Sequence, residues 1–281
     1  MKLVRFDAGE GARCGILEGG GVRDIDAAFA TLAPGDMAGV LGHGRDAWER
    51  AAAHAPLVPM ASLRLLAPIT NPPKIVCAWV NYPNPAVPKQ PELPIFFSKY
   101  ASAIIGPADT IRLPRIASDI VVEPELCAVI GRGGRHLTEQ QALEHVAGYT
   151  IVNDVTAFSH RLQVLLGSTG PYMMAKTFDT FAPCGPAIVT ADLVGDPHRL
   201  AVRQWQNGIL LTEASTSQAI FHLPRLISYL SQFFTLAPGD LILTGSPPPI
   251  SGKPRFLAPG DRVRIEIERV GVLENPVAAE Q

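Results

Sequence analysis

From residue 74 onward the chain is a succession of short apolar runs, each broken by glycine, proline, asparagine or aspartate. IVCAWV (75–80), IFFSK, VVEPELCAVIG, YTIVN, AIVTA, LAVRQWQNG, LILTG and RVRIEIE follow one another at close intervals. Runs of this length, rich in branched and aromatic residues and bounded by turn formers, read as strands. One stretch departs from the rhythm: SQAIFHLPRLISYLSQFF (217–234) has the length and apolar spacing of a helix. The pattern predicts an α+β protein that is mostly β. Ala-Pro-Gly-Asp recurs at 33–36, 237–240 and 258–261, and Pro-Gly suits the central positions of a type II turn. GRGGRH (131–136) is followed by no helix at the spacing a phosphate cradle needs, so it predicts a hairpin connection.

The first 70 residues read as a small N-terminal α/β domain. KLVRF and CGILEG form short strands, GGG (19–21) a turn, and DAWERAAAHA an amphipathic helix. The proline-rich LAPITNPPK then separates it from a larger domain over 71–281. With 281 residues, 47% of them hydrophobic, the chain can bury a full core. A net charge of −2, with Lys and Arg scattered, excludes nucleic acid and an anionic membrane surface as partners. No apolar stretch is long enough to cross a bilayer, and the charged opening MKLVRFDAGEGARCG is unlike a secretory leader, so the expected location is the cytoplasm. Cys14, Cys77, Cys127 and Cys184 lie far apart without a CxxC, which reads as small buried apolar side chains.

Chemistry concentrates in IVVEPELCAVIG (120–131). Side chains on a strand alternate between faces, so Glu123 and Glu125 are expected to project together, with Val122, Pro124 and Leu126 on the other side. Two carboxylates so close repel, and the arrangement requires either a cation or open water. The pair alone leaves both readings open, because Pro124 is compatible with a solvated edge strand. A third acid shifts the balance: GYTIVNDVTAF breaks at Asn153-Asp154, which brings a carboxylate to a strand end. Three hard oxygen donors without Cys or His beside them suit Mg2+ or Mn2+.

Taken in order, KIVCAWVNY, FFSKYASAIIGP, VEPELCAVIG, HVAGYTIVNDVTA, AKTFDTFAPCGPAIVT, FTLAPGDLILTGSP and FLAPGDRVRIEIERVG resemble the fumarylacetoacetate hydrolase family. The resemblance covers nearly everything from residue 74 and implies a roll of mixed β-sheets, a homodimer and a divalent metal. The N-terminal unit resembles the small extra domain of many bacterial members. Carried across, the family's metal ligands fall on Glu123, Glu125 and Asp154. Its lysine falls on Lys176, where a cation would stabilise charge developing on an enolate. Thr-Gly-Thr-Pro becomes Thr244 to Pro247, with Ser246 keeping a hydroxyl where relatives hold the substrate carboxylate. Family chemistry acts on 2-oxo and β-dicarbonyl carboxylic acids through an enolate. Hydrolysis, decarboxylation, dehydration and isomerisation all branch from it.

Two departures bear on the reaction. After Asn81-Tyr82, hydrolytic members carry a His and, three residues on, a Glu that activate water; here those positions are Pro85 and Pro88. Prolines 83, 85, 88, 91 and 94 exclude the usual lid helix. Beyond Asp154, Phe158, Ser159 and Arg161 replace the family's Arg, Asp and Gln, which predicts a less polar pocket, with Tyr82 beside it. His160 is the best local candidate for acid–base work and Glu92 a weaker one, while His136 and His145 are assigned no role. Without the water-activating dyad, decarboxylation, dehydration or isomerisation is expected over hydrolysis. An inert ligand-binding module is disfavoured by the intact acids, and a nucleotide-dependent oxidoreductase by the missing glycine fingerprint.

Overall fold

The structure, a computed structural model, describes residues 1–84, 89–158 and 172–281. A long mixed sheet runs through them in the order Leu57–Pro59, Gly21–Asp24, Ala12–Glu18, Lys2–Asp7, Ala182–Thr190, Val146–Asn153, Pro124–Ile130, Leu241–Leu243, Ile75–Trp79 and Ile95–Ser98. Neighbours along it are antiparallel except Leu241–Leu243 with Ile75–Trp79. The sheet is continuous across residue 70: Lys2–Asp7 pairs directly with Ala182–Thr190, Leu3 opposite Ile188. A second sheet takes Ile209–Ser215, Ala201–Gln206, Arg262–Ile267, Gly271–Ala279 and Ile111–Leu113. The protein is thus mostly β, as its strand rhythm predicts.

The three Ala-Pro-Gly-Asp segments form the expected turns. Gly35, Gly239 and Gly260 have φ of 72°, 87° and 94°, and each Asp N–H donates to the Ala carbonyl at 3.0, 3.0 and 3.1 Å. The helix expected over 217–234 begins at Leu223 and ends at Phe233, because Pro224 suits a first turn and interrupts anything helical before it. Its buried Leu223, Leu226, Ile227 and Leu230 follow the spacing of one helical face. GRGGRH does join two antiparallel strands, Pro124–Ile130 and Val146–Asn153, but not as a tight hairpin. The connection spans 131–145 and holds a one-turn helix, Glu139–Ala142, closed by a capping box on Thr138. All four cysteines are free and buried. Among the described residues no helix is long and apolar enough to cross a membrane.

Strand direction positions the site. Pairing of Pro124 with Asn153, Cys127 with Leu243, and Leu243 with Cys77 places the start of Pro124–Ile130 beside the ends of the other three strands. The chain therefore leaves one end of the sheet at Asp154, Thr244 and Val80, and enters it through Glu123.

Candidate metal centre

Pro124–Ile130 is a central strand, flanked by Val146–Asn153 and Leu241–Leu243, and Glu125 is 2% exposed. That excludes the solvated-edge alternative. The two glutamates do not, however, share the strand as simple alternation predicts. Pro124 opens it, since a residue without an N–H can stand at the first position of a ladder. Glu125 lies in the ladder opposite Val152, and Glu123 falls in the connection from Ile120–Val121. Backbone bonds bring Glu123 back to the cluster: its N–H donates to Asn153 Oδ1 at 3.2 Å, and its carbonyl accepts from the Asp154 N–H at 2.9 Å. The two acid-bearing segments are laced together directly. One carboxylate oxygen from each of Glu123, Glu125 and Asp154 lies within 4.8 Å of the others.

Two ammonium groups meet these acids. Lys176, the last residue of the helix Tyr172–Lys176, donates to Glu123 Oε2 and Asp154 Oδ2, with Nζ 4.7 Å from the centre of the Phe97 ring. Lys99 donates to Asp154 Oδ1 at 2.7 Å and to the Val155 carbonyl at 3.1 Å, and the side chains of this pair are fully buried. Gly245 N–H donates to Glu125 Oε2 at 2.6 Å, and the Thr156 hydroxyl lies 3.1 Å from Glu123 Oε2.

Electrostatics follow from this geometry. Burial, reinforced by the Asp154 charge, pushes Glu125 well above the ordinary carboxylate range. Burial also raises Glu123, though Lys176 opposes it. For Asp154 burial acts the same way, but Lys176 and Lys99 outweigh it and hold the group below its ordinary value. Burial would depress Lys176; Asp154 and Glu123 reverse the effect and keep it a cation. Lys99 is lowered by burial, with Asp154 offsetting part of the shift. Among the described residues no ammonium pairs with Glu125. With every group ionised, three carboxylates against two ammonium groups would leave one negative charge in excess, which either a proton on Glu125 or a further cation neutralises. The donors are all oxygen, so the residues fit a hard divalent ion.

Of the other residues singled out in the sequence, Thr244 is engaged in support: its hydroxyl donates to the Leu126 carbonyl at 2.9 Å. Ser246 is half-buried, with Oγ 3.3 Å from the Pro247 carbonyl oxygen. Tyr82 is 3% exposed and lines a small cavity with Thr244, His198 and Phe221. Phe158 is 40% exposed. His160 and Arg161 lie outside the described residues, as do Ser159, Pro85 and Pro88. Glu92 is exposed and paired with Lys89, His136 bonds Gln232, and His145 bonds the Arg132 carbonyl. The described residues of 82–94 form no helix. Sequence reasoning assigned no role to Lys99, whose only signal was a cation directly after the apolar run IFFS, or to Asn81, whose only signal was its place in the Asn-Tyr pair of the family-like segment KIVCAWVNY.

Comparison with known proteins places these features. Residues 74–278 match the family described as fumarylacetoacetate (FAA) hydrolase C-terminal, and residues 1–68 match the Rv2993c-like N-terminal family. The chain is similar to "Oxaloacetate tautomerase FAHD2B, mitochondrial" of Bos taurus, 42% identical over 295 residues that cover 99% of this chain and 91% of that protein. It resembles maleylpyruvate hydrolase from Sphingobium sp. SYK-6, solved with manganese(II) and pyruvate, at a TM-score of 0.83 and 31% identity, both chains covered completely. The 5-carboxymethyl-2-hydroxymuconate delta-isomerase of Mycobacterium smegmatis gives a TM-score of 0.79 and 33% identity, also with complete coverage of both.

Proposed function

The chain belongs to the fumarylacetoacetate hydrolase family, and we propose that it is a divalent-metal-dependent tautomerase that interconverts the keto and enol forms of a 2-oxo dicarboxylic acid of the oxaloacetate class. One observation carries this reading. An acid triad, with Glu125 and Asp154 buried and Glu123 half-buried, is paired with a lysine ammonium, in a chain that has Pro85 and Pro88 where the family resemblance puts the water-activating His and Glu of hydrolytic members. Proline offers no group that can move a proton.

Glu123, Glu125 and Asp154 would hold Mg2+ or Mn2+, and such an ion supplies Lewis acidity toward the carbonyl and adjacent carboxylate of a 2-oxo acid. Lys176, held as a cation by Glu123 and Asp154, stabilises negative charge as it develops on the carbonyl oxygen when a proton leaves the neighbouring carbon. Solvent water takes up the proton released from carbon and returns one to the oxygen to give the enol, so atoms and charge balance. No carbon–carbon bond breaks and no water is consumed, so the reaction needs no water-activating dyad. Lys99, fully buried, acts through Asp154 rather than on substrate.

The full-length likeness to maleylpyruvate hydrolase supports a second reading, carbon–carbon hydrolysis with a substitute base. Incubating the Mg2+- or Mn2+-loaded protein with oxaloacetate, and separately with an acylpyruvate, distinguishes the two. Expected are accelerated relaxation of the enol absorbance of oxaloacetate, CO2 release at the uncatalysed rate, and an intact acylpyruvate. Lys176→Met should slow the relaxation by roughly 10²–10³-fold. Rapid acylpyruvate cleavage would replace the tautomerase reading with the hydrolase one.

A further inference from the structure

Asn81 follows a residue in an unfavourable conformation. Val80 has φ of 51°, in the left-handed region that a β-branched side chain rarely enters. Such a conformation costs on the order of 1–3 kcal/mol and persists where surrounding contacts impose it. The residue that follows Val80, Asn81, is 2% exposed and bonded through both its side chain and its backbone. Its Nδ2 donates to the Thr244 carbonyl at 2.7 Å and to the Phe221 carbonyl at 2.9 Å, and its Oδ1 accepts the Phe221 N–H at 2.8 Å. Its own carbonyl accepts the Ile220 N–H at 2.8 Å. Both side-chain donors are used, on two segments far apart in sequence.

The segment after Thr244 is the one that reaches Glu125. Gly245 has φ of 88°, and a Cβ there would stand 2.8 Å from Asn81 Cβ, so the two residues are in close contact. The Gly245 N–H makes the 2.6 Å bond to Glu125 Oε2. This bond sets the rotation of the one carboxylate of the triad that no described ammonium orients.

We propose that Asn81 is a positioning residue of the acid cluster: it seats the Gly245 amide on Glu125 and so aims that carboxylate at a bound divalent ion. The proposal rests on the metal reading above. It also gives Val80 a reason for its conformation, since a relaxed backbone there would carry the Asn81 amide away from Thr244.

Titration calorimetry of the metal-stripped full-length protein with MnCl2 tests it, comparing wild type, Glu125→Gln and Asn81→Asp. The Asp variant keeps the shape and the acceptor but turns an oxygen toward two carbonyls that now receive N–H bonds. Wild type should bind Mn2+ and Glu125→Gln should not. Asn81→Asp should bind with the same stoichiometry and a Kd raised on the order of 10–100-fold, the usual effect of removing a partner that orients a metal ligand. Saturating Mn2+ should then return its kcat to within a few-fold of wild type. An unchanged Kd overturns the proposal, and so does a lowered stoichiometry at unchanged Kd, which is the signature of a partly misfolded protein. Wild type that fails to bind Mn2+, or binds no better than Glu125→Gln, overturns the metal reading itself. Should Asn81→Asp not fold, Asn81→Ser, which shortens the side chain without adding charge, is read by the same criteria.

Discussion

At the floor of the site Glu125, Asp154 and Lys99 are each at most 3% exposed, and every one is bonded to a different segment of chain. The loops that leave the same end of the sheet show the opposite: Leu93, Phe158 and Ile250 present apolar side chains 51, 40 and 61% exposed. The floor is over-determined, because each ionisable group there must meet an opposite charge, a hydrogen bond or a proton to stay buried. The described residues of these loops carry few such obligations. In folds of this kind, residues on a rigid scaffold carry the chemistry a family shares, and loops more often carry what varies between members.

Substitutions should separate these regions by magnitude. Lys99→Met strikes the floor hardest. It removes one partner of a fully buried ion pair, and chemical denaturation of the metal-free protein should show a loss of about 3–5 kcal/mol. A loss below about 1 kcal/mol, as for an exposed pair, would erase the contrast. Next is Glu123→Ala: wild type should gain about 2.7 kcal/mol of stability at a Mg2+ or Mn2+ concentration of about 100 times Kd, and the variant nothing. A thermal shift with and without the ion reads this directly.

Acidity gives a third, smaller effect. Burial raises both Glu123 and Glu125, so in the metal-free protein they keep protons to a higher pH than ordinary glutamates do. A binding ion must displace those protons, so affinity should weaken as pH falls, by up to about tenfold per pH unit for each proton displaced. Calorimetric Kd values that stay flat between about pH 8 and 6 would show that the carboxylates are already ionised. The smallest changes are expected at the loops. Phe158→Ser should alter stability by no more than about 0.5 kcal/mol and leave the metal Kd unchanged, while shifting KM between oxaloacetate and bulkier 2-oxo acids. A shift in metal affinity from this variant would make Phe158 part of the floor.

Much of the floor and of the sheet that carries it is legible in the amino-acid sequence. Strand runs from IVCAWV to RVRIEIE occur as strands, because alternation and branched side chains act over a few residues. The Ala-Pro-Gly-Asp turns are equally local. The three acids and Lys176 stand out as residue types in recognisable segments, and the fold does bring them together. The placement of Glu123 does not: periodicity implies a continuous strand through Pro124, whereas the ladder starts there and the preceding acid reaches the cluster through Asn153 and Asp154.

By itself the sequence determined which stretches are extended, where the chain turns, and which side chains can hold a hard cation, since each depends on residues near one another or on their own chemistry. Tertiary structure decided how charge is balanced and how the ligands are aimed. Lys99 meets Asp154 across 55 positions and Asn81 meets Thr244 across 163, and neither side chain differs chemically from a solvated one until the sheet closes around it. Only burial turns an ordinary lysine or amide into an obligatory partner, because only there does an unpaired charge or N–H have no water to turn to.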